Sequence, residues 1–421
     1  MESKRYITSY DIICNTVGGV YLSALRHFLC SLLVFATCCF SLVHAQSGVS
    51  VVLPNSGTVI NHAHSMLYVD GIKLRDSSGE EVFLKGIQVD RNEKMKKYGS
   101  AAFAVPGEPT WFTQDDVERI SKAGGNCIEL HIIHLHEIMP ERNIIDESFF
   151  SNWLDYWVSW CKQYEVYCII NIRGFAATET QLQRWGLVMP NWLWQGLYSK
   201  PTDMDSQARI IHDFWDTDIE KQEDNRQAFV NAWMYIADRY KNSPHVIFSI
   251  INEPLAHTHM IMNSISARHL GETYNIVMTQ AIDAIRNTGA QQVIFVDRPY
   301  VWGLSNVQPI DRPNIAWEDH LYVTQHTTIE EWKDIMDNKV QKFVYDFRKP
   351  LFIGEYGTDR PTKPTDIWQS ALSEQVAYLK TKSICGQLWN HFGVLEGEYS
   401  DFVFDYYNAE ESEWLLACIL S

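Results

Sequence analysis

VIFSIINEP, residues 246–254, places a glutamate directly after a run of apolar residues. A run that is apolar at successive positions predicts a strand buried on both faces, as in a parallel sheet. Pro254 cannot continue a central strand, so we expect the strand to end at Asn252-Glu253. Glu253 would then lie at the carboxyl end of a buried strand, where barrel enzymes carry their catalytic groups.

Seven further apolar runs repeat this pattern, and amphipathic segments separate most of them. Together they give predicted strands at Val82–Ile87, Asn126–Ile132, Val166–Ile172, Val246–Ile251, Gln292–Val296, Ile315–His320, Leu351–Gly354 and Ile384–Trp389. Eight strands that alternate with helices predict an α/β fold, namely a (β/α)8 TIM barrel rather than an open sheet. Ahead of them, turn signals at Asp70-Gly71 and Ser78-Gly79 predict a small N-terminal β-hairpin cap.

The first 45 residues have the composition of a targeting segment. Three basic residues precede an apolar stretch over residues 28–43, and Val43-His44-Ala45 supplies a cleavage pattern. These features are typical of a secretory signal peptide, so we expect residues 1–45 to be cleaved and the protein to be secreted. An uncleaved membrane anchor is the alternative, because the region that contains the basic residues is unusually long. Residues 46–63 are rich in Ser, Gly, Val and Asn and predict a linker, which leaves residues 64–421 as a catalytic barrel domain.

The chain that would remain after cleavage is acidic, with 32 basic and 50 acidic residues and a net charge of −18. We expect such a chain to bind neither nucleic acid nor an anionic membrane, whereas neutral partners such as sugars suit it. Five cysteines remain, an odd number without a CxxC spacing: Cys127, Cys161, Cys168, Cys385 and Cys418. They indicate neither a metal site nor redox chemistry, and both buried thiols and one or two disulfides stay open.

A second glutamate follows the same kind of strand. KPLFIGEYGTD, residues 349–359, has an apolar run, a glycine and then Glu355. Glu253 and Glu355 would end the fourth and seventh strands, which face each other across the mouth of an eight-stranded barrel. Two carboxylates can divide the chemical roles there, one protonated and one ionised. Glycoside hydrolysis needs such a pair, roughly 5–5.5 Å apart when the configuration is retained, whereas a lone strand-end glutamate is more often part of a structural ion pair.

These motifs resemble glycoside hydrolase family 5, the retaining cellulase-like barrels. The resemblance covers most of residues 65–392. It rests on LKGIQ at 84–88, FVNAWMYIADRYKNSPHVIFSIINEP at 229–254, HLY at 320–322, IGEYG at 353–357 and the terminal-strand Trp389. The Asn-Glu-Pro motif in its helix–strand context is specific, IGEYG is less so, and HLY alone would be weak.

The resemblance implies a role for each of five polar residues. Glu253 would be the general acid/base and Glu355 the nucleophile, and no cofactor would be needed. Asn252 would bind the 2-hydroxyl of the sugar, a contact that strengthens toward the transition state. His320 would orient the acid/base, and Tyr322 would donate a hydrogen bond to the nucleophile.

Three tryptophans are candidates for stacking against sugars. The resemblance places Trp389 beneath the sugar at the cleavage point, and packing in the barrel end is its structural alternative. Trp192 and Trp194 lie in NWLWQGLYSKPTDMD, within a long segment after the third predicted strand. Because long loops in a compact domain are usually functional, we expect this one to form a wall of the cleft.

Two positions depart from the family pattern. The family carries an arginine at the end of the second strand, where this chain has Glu129 in NCIELHI. It carries Asp-x-His at the end of the third, where this chain has Asn171-Ile172-Arg173. One hypothesis is that Arg173 takes the place of the missing guanidinium, pairs with Glu129 and lowers the pKa of Glu355. The alternative is a structural Arg173–Glu129 ion pair with no part in catalysis.

These observations predict a secreted, monomeric retaining β-glycosidase that acts on a β-glycan, with endo-β-1,4-glucanase as the first choice. Endo-β-1,4-mannanase is an alternative, because nothing in the sequence distinguishes the configuration at the second carbon of the sugar. A metal-dependent barrel hydrolase is another, suggested by His131, His134 and His136, although such enzymes carry a histidine pair on the first strand, which here ends GIQVD. A non-catalytic glycan-binding barrel is the last alternative.

Overall fold

The structure is a computed structural model, and its description covers part of the chain. The described ranges are 65–89, 114–132, 138–139, 144–145, 150–172, 223–254, 267–300, 304, 307–323, 327–358, 366–389, 394–395 and 398–399. The predicted targeting segment, the predicted linker, residues 90–113 after the first strand and residues 173–222 after the third strand lie outside these ranges.

Eight parallel strands close into a barrel, and each pairs with its neighbours in chain order. They are β1 (Lys85–Val89), β2 (Cys127–Ile132), β3 (Tyr167–Ile172), β4 (Val246–Ser249), β5 (Ile294–Asp297), β6 (Ile315–Val323), β7 (Leu351–Thr358) and β8 (Cys385–Trp389). The barrel closes where β8 pairs with β1, from Gly386 opposite Lys85 to Trp389 opposite Gln88. The predicted α/β fold with a (β/α)8 barrel is confirmed.

Six described helices connect the strands. They are α1 (Gln114–Lys122), α2 (Asp155–Gln163), α3 (Glu223–Tyr240), α4 (Ala267–Asn287), α5 (Ile329–Val340) and α6 (Asp366–Lys382). A π-helical segment, Phe150–Leu154, leads into α2, and another, Gln341–Asp346, continues α5. Apolar side chains of strands and helices form one large buried layer between them, as amphipathic helices around a parallel sheet require. Within the described part of the chain, no helix is long and apolar enough to cross a membrane.

A β-hairpin covers the amino-terminal end of the barrel. It pairs Tyr68–Asp70 with Lys73–Arg75 around Gly71, as the sequence predicts. Leu67 and Leu74 belong to the same buried cluster as the aromatic residues inside the lower barrel, including Phe295 and Phe352. This end of the barrel is therefore packed with apolar side chains, and the chemistry is left to the other end.

The upper part of the barrel interior is polar. Its buried polar side chains come from all eight strands: Gln88, Glu129, Asn171, Ser249, Asp297, Glu318, His320, Glu355 and Gln387. Buried polar groups are normally hydrogen bonded, and buried charges are normally paired. An interior with this many acids and amides therefore marks the carboxyl end of the barrel as the place to look for function.

Among the differences from the predicted strand boundaries, those at the carboxyl ends of β4, β6 and β7 affect the candidate site. β4 ends at Ser249 rather than at Ile251, so Glu253 lies four residues beyond the strand. β6 and β7 instead continue to Val323 and Thr358, because the two strands remain paired past an irregularity that follows Asp319. Glu355 thus lies within a strand rather than after one.

The cysteines inside the described residues carry free thiols. Cys127, Cys161, Cys168 and Cys385 are all buried, and burial raises the pKa of the Cys127 and Cys385 thiols. They serve as small apolar side chains in the core. Of the two possibilities left open by the sequence, buried thiols hold for these four, and Cys418 lies outside the described residues.

Candidate active site

The two glutamates singled out from the sequence come together at the carboxyl end of the barrel. A carboxylate oxygen of Glu253 and one of Glu355 lie within 4.8 Å of each other and of a ring nitrogen of His320. This distance is close to the roughly 5–5.5 Å of retaining glycosidases and shorter than the roughly 6.5–9.5 Å of inverting ones. The pair has room for one sugar carbon and its leaving oxygen, but not for an additional water between carboxylate and sugar.

The backbone at Glu253 is in the left-handed region, with φ of 45°. This region is uncommon for residues with a Cβ, and it persists where neighbouring groups fix the chain. Asp297 provides such a group, because its Oδ2 accepts a hydrogen bond of 2.7 Å from the Glu253 N–H. The side chain of Glu253 stays 28% exposed, whereas that of Glu355 is 4% exposed. The two carboxylates therefore have different environments.

His320 lies between the two glutamates. Its Nδ1 is 3.0 Å from Glu253 Oε1 and 3.4 Å from Glu355 Oε2, and its side chain is almost completely buried. Burial opposes protonation, but Glu355 and Asp297 together with the hydrogen bond to Glu253 raise the pKa of His320 well above 6.5. This rise in pKa favours the imidazolium, whose Nδ1–H can donate to Glu253.

Glu355 is a buried carboxylate that accepts a hydrogen bond from Tyr322 Oη. Burial raises the pKa of Glu355 to about 7, and His320 and Tyr322 oppose this rise. The group is thus close to half ionised at neutral pH, and its charge depends on the donors around it.

A bulge at Gly354 turns Glu355 into the barrel. β6 and β7 pair Asp319 with Ile353 and then His320 with Glu355, so Gly354 has no partner on β6. A Cβ at this position would lie 2.0 Å from Glu318 Oε1 and 2.9 Å from His320 Nε2. Only glycine fits there, because any side chain would collide with these two buried groups.

Glu129, the residue at the position of the family arginine, is fully buried in the barrel. Gln88 Nε2 donates to its Oε1 at 3.4 Å, and Gln387 Nε2 donates to its Oε2. Burial and the nearby Glu318 raise the pKa of Glu129 well above 4.5. Arg173 lies outside the described residues, so its pairing with Glu129 stays a hypothesis.

The remaining predicted substrate-binding residues are described to different extents. Asn252 is buried next to Glu253, its N–H donates to Ile172 O at 2.8 Å, and its Oδ1 has no hydrogen-bond partner within the described residues. Trp389 ends β8, but the placement of its side chain lies outside the description. Trp192 and Trp194 also lie outside it.

Comparison with known proteins agrees with this geometry. The profile of the cellulase family, glycosyl hydrolase family 5, matches residues 91–392. This chain belongs to glycoside hydrolase family 5. It is therefore a glycoside hydrolase, and retention of configuration is characteristic of its family.

Solved structures of other family 5 enzymes have the same fold at low sequence identity. Endo-glycoceramidase II from Rhodococcus sp. is 17% identical, with a TM-score of 0.59 over 81% of this chain and 79% of that chain. XacCel5A, solved with cellopentaose, is 16% identical, with a TM-score of 0.55 over 81% and 99% of the two chains. The β-glucanase SdGluc5_26A from Saccharophagus degradans is 17% identical, with a TM-score of 0.55 over 85% and 93%. A search of curated proteins by sequence found no match.

Family membership weighs against a metal-dependent hydrolase, the alternative suggested by three histidines. His131 lies in β2, but its side chain is outside the description, as are His134 and His136. The only histidine described beside the pair is His320, whose Nδ1 contacts both glutamates.

The site also contains buried acids that the sequence motifs do not single out. Asp297 and Glu318 lie inside the barrel below His320, and Asp319 lies in the layer between β6 and the helices. The sequence did contain a signal for them, since IFVD and IAWEDH each place acids at the end of an apolar run. An acid in that position has to be paired or functional, because an isolated buried charge is too costly.

Asp319 anchors the strand that carries His320. Its Oδ1 accepts from Arg298 Nε at 2.6 Å and from the His320 N–H at 2.8 Å, and its Oδ2 accepts from Lys339 Nζ. Burial alone would raise the pKa of Asp319, but Arg298 and Lys339 hold it below 3.8. Burial also lowers the pKa of Lys339 to about 8. The two cations depend on one carboxylate.

We expect Asp319→Ala to destabilise the protein by about 3–5 kcal/mol, because the change leaves the buried Lys339 and the partly buried Arg298 without the carboxylate that binds both. Urea unfolding at pH 7 measures this loss. The matched control is Asp283→Ala, whose carboxylate binds Arg312 at 2.6 Å but is 47% exposed. Exposed ion pairs contribute about 0–1 kcal/mol. Equal losses in the two variants would contradict the assignment of Asp319 as an anchor.

Proposed function

We propose that this family 5 enzyme is a secreted, monomeric endo-β-1,4-glucanase in which Glu253 is the acid/base and Glu355 the nucleophile. The observation that carries the proposal is the approach of the two carboxylates to within 4.8 Å in different environments. Glu355 is buried and hydrogen bonded by Tyr322, as suits a group that attacks carbon. Glu253 is partly open to solvent, as suits a group that exchanges protons with water and leaving group.

The geometry supports a double displacement. Ionised Glu355 attacks the anomeric carbon while Glu253 gives its proton to the glycosidic oxygen, so that the leaving sugar departs as a neutral alcohol. A glycosyl ester of Glu355 forms. Glu253, now ionised, takes a proton from a water molecule, which attacks the same carbon and releases Glu355. Both carboxyl groups then have their original protonation states.

Three neighbours support these steps. Protonated His320 donates to Glu253 and places a positive charge 3.4 Å from Glu355, which favours the ionised nucleophile. Tyr322 donates to Glu355 and holds the attacking carboxylate in one orientation. The Oδ1 of Asn252 has no partner within the described residues, and it is available to accept a hydrogen bond from a sugar hydroxyl.

The choice of a β-1,4-glucan is supported by the family, by the acidic chain and by the tryptophan-rich loop predicted around Trp192 and Trp194. XacCel5A, which shares the fold, was solved with cellopentaose. Endo-β-1,4-mannanase remains the second choice, because the same pair of carboxylates acts on either sugar. Secretion is proposed from the composition of residues 1–45.

Release of reducing sugar from a panel of substrates tests the proposal. The panel contains cellulose, mixed-linkage β-glucan, mannan, xylan and β-1,3-glucan, with a glycosylceramide added because endo-glycoceramidase II shares the fold. The fastest hydrolysis is expected with the β-1,4-linked glucans. A higher rate on mannan, or on the glycosylceramide, would replace the proposed substrate but keep the proposed chemistry.

Two controls separate the other classes of function. If the parent protein cleaves nothing while Glu355→Ala binds glycan, a glycan-binding barrel is the better account. If a chelator abolishes activity in protein that contains stoichiometric metal, a metal-dependent hydrolase is the better account.

Activity should fall at acidic pH because the nucleophile becomes protonated. The pKa of Glu355 is raised to about 7, so the ionised fraction decreases as pH drops through this value. We expect log kcat/KM to rise with a slope of about one per pH unit below pH 7, to level off, and to fall again at alkaline pH, where His320 loses its proton. Tyr322→Phe removes a donor to the ionised form and should move this limb to higher pH. If this acidic limb of the pH–rate profile did not move in Tyr322→Phe, a group other than Glu355 would control it.

A further inference from the structure

Below the catalytic pair, two more acids face the ring of His320. Asp297 ends β5, Glu318 precedes His320 by two residues in β6, and both are completely buried. His320 Nε2 lies 3.7 Å from Asp297 Oδ2 and 3.8 Å from Glu318 Oε1. His320 Nδ1 lies 3.0 Å from Glu253 Oε1 and 3.4 Å from Glu355 Oε2. One imidazole therefore contacts four carboxylates, two at each nitrogen.

Glu318 is held in place on one side and directed at the ring on the other. Ser249 Oγ donates to its Oε2 at 2.5 Å, and Asn171 Nδ2 donates to Ser249 Oγ at 2.7 Å. Its Oε1 has no hydrogen-bond partner within the described residues and is the atom nearer to His320. Gly354 leaves the space for this contact, since a Cβ there would lie 2.0 Å from Oε1.

We propose that Glu318 is a positioning residue which, with Asp297, holds His320 as an imidazolium between Glu253 and Glu355. This inference rests on the catalytic roles proposed for those two glutamates. A neutral imidazole would carry one N–H and could donate to only one side. An imidazolium donates at Nδ1 toward the catalytic pair and at Nε2 toward the buried acids, and it supplies a positive charge beside the nucleophile.

The charged surroundings of His320 are dominated by acids. The titratable groups that surround it are Glu129 from β2, Glu253 after β4, Asp297 from β5, Arg298 and Tyr300 after β5, Glu318, Asp319 and Tyr322 from β6, Lys339 from α5 and Glu355 from β7. Arg298 and Lys339 are both bound to Asp319. The raised pKa of His320, opposed by burial and caused by Glu355 and Asp297 among others, agrees with this arrangement.

Glu318→Gln removes the charge and keeps the shape of the side chain. Without the charge, His320 should lose its proton at lower pH, by about 1–3 units for a charge at this distance. The alkaline limb of kcat should move down in parallel, because deprotonated His320 no longer supports the two glutamates. KM should stay within about twofold, since Glu318 is buried beneath the site and is not proposed to touch the sugar.

The direct measurement is an NMR titration of the full-length protein labelled with ¹⁵N-histidine. The signal of His320 is assigned by its absence in His320→Asn. We expect the titration midpoint of His320 to fall by at least one unit in Glu318→Gln and in Asp297→Asn. Glu318→Asp, which keeps the charge, should restore most of the midpoint. Glu374→Gln, a change of an exposed acid in α6, should leave it unchanged.

The outcomes distinguish this inference from the proposed function. An unmoved midpoint in folded Glu318→Gln and Asp297→Asn overturns it, even if the parent enzyme hydrolyses glycans. A midpoint that moves without any change in the alkaline limb also overturns it, since the charge would then have no effect on catalysis. If the parent cleaves no glycan, the proposed function fails on its own assay. Should Glu318→Gln not fold, the test is the midpoint in Asp297→Asn, which removes the other buried acid at Nε2, compared with the midpoint in Glu318→Asp, which keeps both acids.

Discussion

Glu355→Gln is expected to abolish hydrolysis and, at alkaline pH, to make the protein more stable than the parent. The amide cannot attack the anomeric carbon, so kcat should fall on the order of 10⁴- to 10⁶-fold, the scale seen when an enzyme loses its nucleophile. The gain in stability has a separate cause. Glu355 is buried, and the folded protein must ionise it in a site where burial raises its pKa to about 7 from the usual 4.5.

The direction of the stability change follows from proton linkage. Between pH 4.5 and about 7 the folded state holds a proton on Glu355 that the unfolded state has lost, so stability decreases as pH rises through this range. Glutamine removes this dependence. The gain above pH 7 is at most about 3 kcal/mol, and it is reduced because His320 loses one of its acidic neighbours.

Urea unfolding of parent and Glu355→Gln at pH 5 and pH 8 measures this gain, and reducing-sugar release measures the loss of activity. The difference in stability should be larger at pH 8. Glu374→Gln is the control, because its carboxylate is 43% exposed and bound to Lys333 at the surface. A difference between variant and parent that is the same at both pH values would show that Glu355 is not a strained buried acid.

The barrel could be predicted from the sequence because its strands are buried on both faces. Runs such as Val246–Ile251 carry almost no polar residue, and neither surface strands nor most helices have this composition. The same reasoning located Glu253 and Glu355, because a carboxylate directly after such an apolar run has to be paired with another group or take part in function. The family motifs then supplied roles for the residues around them.

The orientation of Glu355 could not be predicted in this way. Along β7, Phe352 belongs to the cluster inside the barrel and Ile353 to the layer beneath the helices. Strict alternation would place Glu355 on the side of Ile353, away from the site. The bulge at Gly354 shifts the register by one residue and turns Glu355 inward. A bulge depends on pairing between β6 and β7, so one strand read alone does not reveal it.

The acids beneath His320 were missed for a similar reason. Glu318 and Asp319 are neighbours in IAWEDH, and both are completely buried. Glu318 faces the barrel interior, whereas Asp319 binds Lys339 of α5. Their partners lie on other strands and helices, so tertiary contacts decide which of two adjacent acids belongs to the site. The left-handed backbone at Glu253 likewise depends on a distant residue, Asp297.

Glu253→Gln is expected to slow hydrolysis of unactivated glycans by about 10²- to 10⁴-fold, the contribution of a general acid. The loss should depend on the leaving group. A sugar hydroxyl leaves slowly without a proton, whereas a nitrophenolate leaves without one. With a dinitrophenyl glycoside, the first step should therefore stay within about tenfold of the parent rate. The second step remains slow, because no base activates the water.

Pre-steady-state kinetics with the dinitrophenyl glycoside reveal this imbalance as a burst of phenolate followed by slow turnover. A small anionic nucleophile such as azide, which needs no deprotonation, should speed the slow phase in Glu253→Gln and give a glycosyl azide with retained configuration. It should not restore Glu355→Gln, which forms no glycosyl ester. We expect Glu253→Gln to keep the parent backbone, because the positive φ and the hydrogen bond from the N–H of residue 253 to Asp297 do not involve the side chain that is changed. A proton donor matters less as the leaving group becomes more acidic. If Glu253→Gln slowed the glycan and the dinitrophenyl glycoside equally, and azide had no effect, Glu253 would therefore not be the proton donor.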